Sequence, residues 1–161
     1  MKLAFRPVDR DNWRAMLALK VHPEQSTFVA SPARSLAICY VGAFGPEYEH
    51  LPHVICDGDD VIGYVTIACD PNSRDEYWID DIMIDAPQQG KGYGRAAIEM
   101  TIRMIVARYP RCETIRLTCF CANHVAARIY ESLGFRKTGR LTEEFKEPEY
   151  ALSGPALVRF R

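Results

Sequence analysis

Three glycines alternate along Gln89-Gly90-Lys91-Gly92-Tyr93-Gly94. Residues of these types in this order suit one task, holding phosphate oxygens. A glycine has no Cβ, so its backbone can approach a ligand closely and take φ > 0. The run lies between an apolar strand pattern, Tyr77-Trp78-Ile79-Asp80-Asp81-Ile82-Met83-Ile84, and a helical period from about Gly94 to Tyr109. The first amides of such a helix lack intrahelical partners and sit at the positive end of its dipole. Loop and helix start together predict a phosphate socket. The alternative is a turn that merely joins strand to helix. Alternate glycines cost chain entropy without helping packing, which argues against it.

Two familiar phosphate loops do not fit. A magnesium-nucleotide loop needs Gly, four residues, then Gly-Lys-Ser/Thr. Here Lys91 lies inside the glycine run and neither Ser nor Thr follows it. A dinucleotide fingerprint needs Gly-x-Gly-x-x-Gly early in a βαβ unit. Counted from Gly90, its last glycine falls at Arg95, and the loop comes after mid-chain.

Other reactive groups flank the loop. Asp80 and Asp81 precede it on the strand. Alternation predicts that they point to opposite faces, so at most one can face a given pocket. A charge on a central strand needs a partner or a function, and Asp80 reads either as a proton acceptor or as half of an ion pair. Cys119-x-Cys121-x-x-His124 suggests a metal corner, but no second ligand pair is evident. Strand alternation puts both sulfurs on one face, where they read as small buried thiols.

The elements that must position these groups follow from periodicity and punctuation. Leu3 to Val8 predicts a strand. Trp13, Met16, Leu17 and Lys20 carry a helical period, and Ser31-Pro32 opens a second helix to about Phe44. Gly45 to Pro52 reads as a loop. His53 to Cys56 and Val61 to Cys69 read as a hairpin, and Thr114 to Phe120 as a strand. A helix begins at Asn123 and stops at Gly134. Phe135 to Leu141 and Ala156 to Arg161 read as a closing antiparallel pair around a polar, mobile loop, Thr142 to Pro155. Interleaved strands and helices predict an α/β sheet covered on both faces.

At 161 residues the chain is read as one domain, 1–161, and its 48% hydrophobic and 25% charged content is ordinary for a globular protein. A formal net charge of −1 leaves no basic footprint for nucleic acid. No apolar run approaches the length of a membrane span, and Met1 to Pro7 carries no signal-peptide core. Six cysteines without a sign of secretion predict reduced thiols and a cytoplasmic location, and no C-x-x-C occurs.

Gln89-x-x-Gly92-x-Gly94 fits Gln/Arg-x-x-Gly-x-Gly/Ala. Further on, Asn123, Ala126, Tyr130, Gly134 and Phe135 fit Asn-x-x-Ala-x-x-x-Tyr-x-x-x-Gly-Phe. Together, in this order, they resemble the GNAT N-acetyltransferase superfamily over nearly the whole chain. Trp78-Ile79-Asp80-Asp81, the His22-Pro23-Glu24-Gln25 region and the glycine loop are similar to the bacterial polyamine branch. The resemblance implies a mixed, mostly antiparallel sheet in which two strands splay apart near residues 82 and 118, with the pantetheine arm of acetyl-CoA in the gap. It implies that Ile82, Met83, Ile84, the loop Gln89, Gly90, Lys91, Gly92, Tyr93, Gly94 and Arg95, and Asn123 and Ala126 hold that cosubstrate, with no metal. Tyr130 takes the position of the general acid, two turns from Asn123 on the same helix face; otherwise it is a core aromatic. Asp80 takes the position of the base. Glu24, Gln25, Asp80 and Asp81 are candidate contacts for a small amine, although Glu24 reads equally as a solvated loop carboxylate.

The implied reaction is direct acetyl transfer in a ternary complex, with a strand N–H near Ile82 or Met83 binding the oxyanion and no enzyme nucleophile. A polyamine such as spermidine or spermine is the favoured acceptor. The alternatives are a protein N-terminus, a lysine or an aminoglycoside, or a non-catalytic coenzyme A-binding module. Edge strands at the C-terminus suit a homodimer.

Overall fold

The computed structural model describes residues 2–143 and 146–161. The elements in chain order are β1 (Leu3–Pro7), α1 (Trp13–Ala18), α2 (Pro32–Val41), β2 (Glu49–Asp57), β3 (Asp60–Cys69), β4 (Tyr77–Ile84), α3 (Tyr93–Arg108), β5 (Thr114–Thr118), α4 (His124–Leu133), β6 (Arg136–Leu141), β7 (Pro148–Ser153) and α5 (Gly154–Val158). The strands form one sheet in the order β1-β2-β3-β4-β5-β7-β6. Every neighbouring pair is antiparallel except β4 and β5. The expected mixed, mostly antiparallel sheet is therefore present.

Each face of the sheet carries its own core. On one, Ile98, Ile102 and Ile105 of α3 and Leu133 of α4 pack with Tyr77, Ile79, Ile115 and Leu117 of the strands. On the other, Met16 and Leu19 pack with Val54, Tyr64 and Met83, against Val29 and Leu36. The spacing of the apolar residues on α3 put one stripe inward. Ser31 starts α2 as expected, its Oγ accepting the Arg34 N–H at 3.3 Å, and Gly42 at φ +65° ends it.

Close approach of β3 to β4 requires a glycine at position 63. A Cβ built there would lie 2.3 Å from the Met83 carbonyl oxygen, a distance no packed side chain tolerates. Gly63 therefore sets how tightly the central strand is held.

Three expectations are corrected. β2 begins at Glu49, inside the segment read as a loop, because Glu49 to Pro52 continue the ladder with β3. The partner of β6 is Pro148–Ser153, inside the segment read as a mobile loop, and the stretch read as the last strand is mostly helix α5 and its exit. The charge that disguised β7, Glu149, is buried and paired with Arg116 at 2.8 Å, and Pro148 stands at the strand's first position, where a missing N–H costs little. Pro155 lies in the first turn of α5, where proline favours a helix start. Glu144 and Phe145 of the expected loop lie outside the described residues. Finally, β5 ends at Thr118, so Cys119 and Cys121 follow the strand. Cys119 is buried and Cys121 exposed, and the two sulfurs do not share a face.

Candidate active site

The β3–β4 ladder pairs Ile67 with Ile79 and Thr66 with Asp81, which leaves Asp80 as an extra residue on β4. This bulge reverses the phase of the strand. Before it, Tyr77 and Ile79 join the α3-side core. After it, Ile84 joins that core and Ile82 packs against it, while Met83 joins the α1/α2-side core. Asp80 and Asp81 consequently face the same side, contrary to the alternation expected of an unbroken strand. Re-aiming a side chain is what a bulge does. Both carboxylates act on the same neighbours there, raising the Cys39 thiol and the Tyr64 phenol beyond what burial alone does.

The two have different surroundings. The Asp81 carboxylate accepts from Ser35 Oγ at 2.6 Å and from the Ala30 N–H at 3.4 Å. Tyr64 donates to the Ala30 carbonyl at 2.7 Å and lies 3.1 Å from Ser35 Oγ. Asp81 thus fastens the start of α2 to the central strand. Among the described residues Asp80 accepts only a long bond, from Thr66 Oγ1 at 3.4 Å. Among the described residues no ion pair forms with it. Burial, and after it the Asp81 charge, push its carboxyl up to about 7, against smaller opposing effects of Thr66 and Arg34.

The parallel ladder between β4 and β5 has only two rungs, Tyr77 with Ile115 and Trp78 with Arg116. Beyond them the strands separate, as the resemblance implied. A cavity of about 470 Å³ opens in the gap, lined by residues 79–84 on one side and Leu117, Thr118 and Cys119 on the other. It continues over Ile98, Val125 and Ile129 to the glycine loop, and it reaches Val21, Phe28 and Val29 ahead of α2. No motif or periodicity marks these last three, which come from an irregular segment. Val125, 72% exposed on α4, could have been noticed as a misplaced apolar residue.

At the loop, Gly90 and Gly92 have φ of +74° and +87°. The first bond of α3 is from Ala96 N–H to the Gly92 carbonyl, at 3.2 Å. Among the described residues, the amides from Gly90 to Arg95 therefore have no protein acceptor. A Cβ built on Gly90 meets nothing within 4 Å. Successive free amides before a helix, at the edge of a cavity, are what a diphosphate requires. Gln89, Gly90, Gly92, Gly94 and Arg95 line the cavity, whereas the side chains of Lys91 and Tyr93 turn elsewhere. Lys91 donates to Gln88 at 2.9 Å. Tyr93 donates to Asp57 at the tip of the β2–β3 hairpin, anchoring the first turn of α3.

Asn123 and Ala126 line the cavity too. The Asn123 Oδ1 caps α4 by accepting the Ala126 N–H at 3.2 Å, which leaves its amide donors for other use. Tyr130 lines the deep end and is 8% exposed. Its ring packs edge-on to Phe135 with centroids 6.0 Å apart. Burial raises its phenol well above the usual value, with smaller effects of Cys119 and Asp81, and no hydrogen bond offsets this. The phenol therefore stays protonated at neutral pH, where it can serve as an acid but not as a base. Gln25 lines the cavity; Glu24 is exposed and does not.

Residues 13–135 match the acetyltransferase (GNAT) family. The chain belongs to that family. As a GNAT N-acetyltransferase it uses acetyl-CoA as acetyl donor. The chain is 28% identical over 146 residues to the spermine/spermidine N(1)-acetyltransferase of Bacillus subtilis (strain 168), covering 88% of this chain and 92% of the relative. Its fold matches the crystal structure of the spermidine N-acetyltransferase from Vibrio cholerae in complex with CoA and spermine, with a TM-score of 0.72, 19% identity and 98% of each chain covered. Among the described residues of this acetyltransferase, no group of three or more His, Cys, Asp or Glu could hold a metal ion, and no helix is long and apolar enough to cross a membrane.

Proposed function

We propose that the chain acetylates a small primary amine, with polyamines such as spermidine and spermine as favoured acceptors, by direct transfer in a ternary complex. The observation that carries this reading is the bulge at Asp80. It brings two adjacent carboxylates to one face of the central strand, at the point where β4 and β5 part. Paired carboxylates beside an apolar cavity suit an acceptor with more than one ammonium. The curated relative and the structural neighbour named above act on such amines.

Acetyl-CoA supplies the reactive thioester when bound. The amides from Gly90 to Arg95 would hold its diphosphate, the β4 backbone at Ile82, Met83 and Ile84 its pantetheine arm, and Asn123 and Ala126 the same arm from α4. A free N–H near Ile82 or Met83 would bind the carbonyl oxygen as negative charge grows on it. Asp80 would take the ammonium proton. A primary amine has a pKa near 10, like lysine. Transfer to a carboxylate at about 7 is uphill by roughly three units, against roughly six for an ordinary carboxylate. The apolar walls at Ile79 and Phe28 disfavour the charged amine and shorten the gap further. Tyr130, held protonated by burial, would donate to the departing sulfur.

The test is release of free thiol from acetyl-CoA with a panel of spermidine, spermine, free lysine, a peptide with a free N-terminus and an aminoglycoside. Turnover favouring the polyamines supports the reading. Turnover with another class and none with polyamines overturns it.

A further inference from the structure

Gln25 and Gln89 form a closed amide pair. Gln25 Nε2 donates to Gln89 Oε1 at 3.0 Å, and Gln89 Nε2 donates to Gln25 Oε1 at 2.8 Å. Backbone partners fix both orientations. Gln89 Nε2 also donates to the Ile84 carbonyl at 3.0 Å, and Gln25 Oε1 also accepts the His22 N–H at 3.2 Å. A carbonyl can only accept and an N–H can only donate, so flipping either amide alone loses three bonds, and flipping both together loses the two to the backbone.

The pair joins two segments 64 residues apart in sequence. One is the short 3-10 turn Pro23–Gln25, which leads to Phe28 and Val29 on the cavity wall ahead of α2. The other is the first residue of the glycine loop, tied through Ile84 to the end of β4. The side chain of Gln25 thus gives its oxygen and one of its two amide hydrogens to protein partners. The irregular stretch Val21 to Ala30 has few other ties to the loop region: Lys20 N–H donates to Asp85 Oδ1 at 2.8 Å and Ala86 N–H to the Lys20 carbonyl at 2.8 Å. Both lie ahead of the turn.

We infer that Gln25 is a positioning residue whose amide pair with Gln89 links order in the donor loop to order in the wall segment 22–30, so that filling the donor site stiffens the acceptor wall. This rests on the assignment of the glycine loop to coenzyme A. Free amides of the loop gain fixed partners when a diphosphate binds. Gln89 then presents a fixed partner to Gln25, and the wall segment loses less freedom when an amine arrives. By reciprocity, each ligand favours the other's binding.

The test is amide hydrogen exchange of the full chain with and without coenzyme A, with binding measured in parallel by calorimetry. In the wild type, coenzyme A should slow exchange across residues 22–30 several-fold. Gln25→Ala should abolish that slowing while keeping coenzyme A affinity within about threefold and protection of the loop itself, since the loop's amides remain. Gln25→Glu can still accept from Gln89 and His22 but cannot donate, and should keep part of it. Equal slowing in wild type and Gln25→Ala, or none in the wild type despite binding, overturns the inference alone. Absence of coenzyme A binding in the wild type overturns the loop assignment with it.

Discussion

Thr66 Oγ1 donates to the Asp80 carboxylate at 3.4 Å and accepts the Asp81 N–H at 3.1 Å. One hydroxyl of β3 thus spans the bulge and touches both residues of the reversed pair. It stabilises the charged form of Asp80 only weakly, and burial dominates, so the carboxyl sits at about 7. A carboxyl raised in this way is a base above that value and is disabled below it. With Asp80 as base, kcat/KM for amine acetylation should rise through a limb centred near pH 7. An ordinary carboxylate would put the limb near 4. Asp80→Asn should lower the rate by roughly 10²-fold or more and remove the limb. A profile flat from pH 5.5 to 8.5, corrected for the amine's own ionisation, would take the base role from Asp80.

Asp81 is the second cause of the Asp80 shift, after burial. Removing its charge should lower the Asp80 carboxyl and move the limb toward acid pH, though not to 4, since burial remains. Asp81→Asn keeps an oxygen to accept from Ser35 Oγ, so α2 stays attached. The variant should be slower at its plateau, because a weaker base drives proton transfer less. The pH profile of this variant separates an electrostatic role from a merely structural one; a limb left in place would show that the two charges do not interact.

The loop and helix starts proposed to hold the donor were legible because their geometry is local. A glycine at φ +74° or +87° in front of a helix leaves a signature in adjacent residues, and the same holds for the Asn123 cap and the α4 face it shares with Tyr130. The acceptor half depends on long-range geometry. Nothing in the letters Asp80-Asp81 says that Thr66 will face both, and a single extra residue changes which side every later residue of β4 occupies. The same limit explains β7. Glu149 reads as a loop residue until Arg116, 33 positions earlier, is placed beside it. The pairing of Gln25 with Gln89 could not be foreseen either, because the two lie 64 positions apart.

Tyr130→Phe separates chemistry from packing. The ring's edge-on packing against Phe135 does not involve the hydroxyl, and no protein hydrogen bond is lost with it among the described residues. Removing a hydroxyl that borders the cavity and holds no protein partner among the described residues breaks no bond of the fold, and is close to neutral for stability. The variant should therefore melt within about 2 °C of the wild type, a shift well below 1 kcal/mol. It should bind acetyl-CoA normally and lose roughly 10²-fold in kcat. An undiminished kcat would move proton donation to another group or to water.

Gly90→Ala tests the socket against a matched control. Gly90 and Gly139 both have positive φ, +74° and +86°, and a Cβ on either meets nothing within 4 Å. Alanine at each should cost about 1–2 kcal/mol of stability through the backbone alone. Gly139 lies on β6, away from the cavity, and its variant should keep the wild-type KM for acetyl-CoA. At Gly90 the new methyl would stand in the space before the free amides, where a phosphate oxygen is expected. Its KM for acetyl-CoA should rise at least tenfold at an equal loss in melting temperature, which the Gly139→Ala comparison removes from account. Equal KM values for the two variants would place the diphosphate elsewhere.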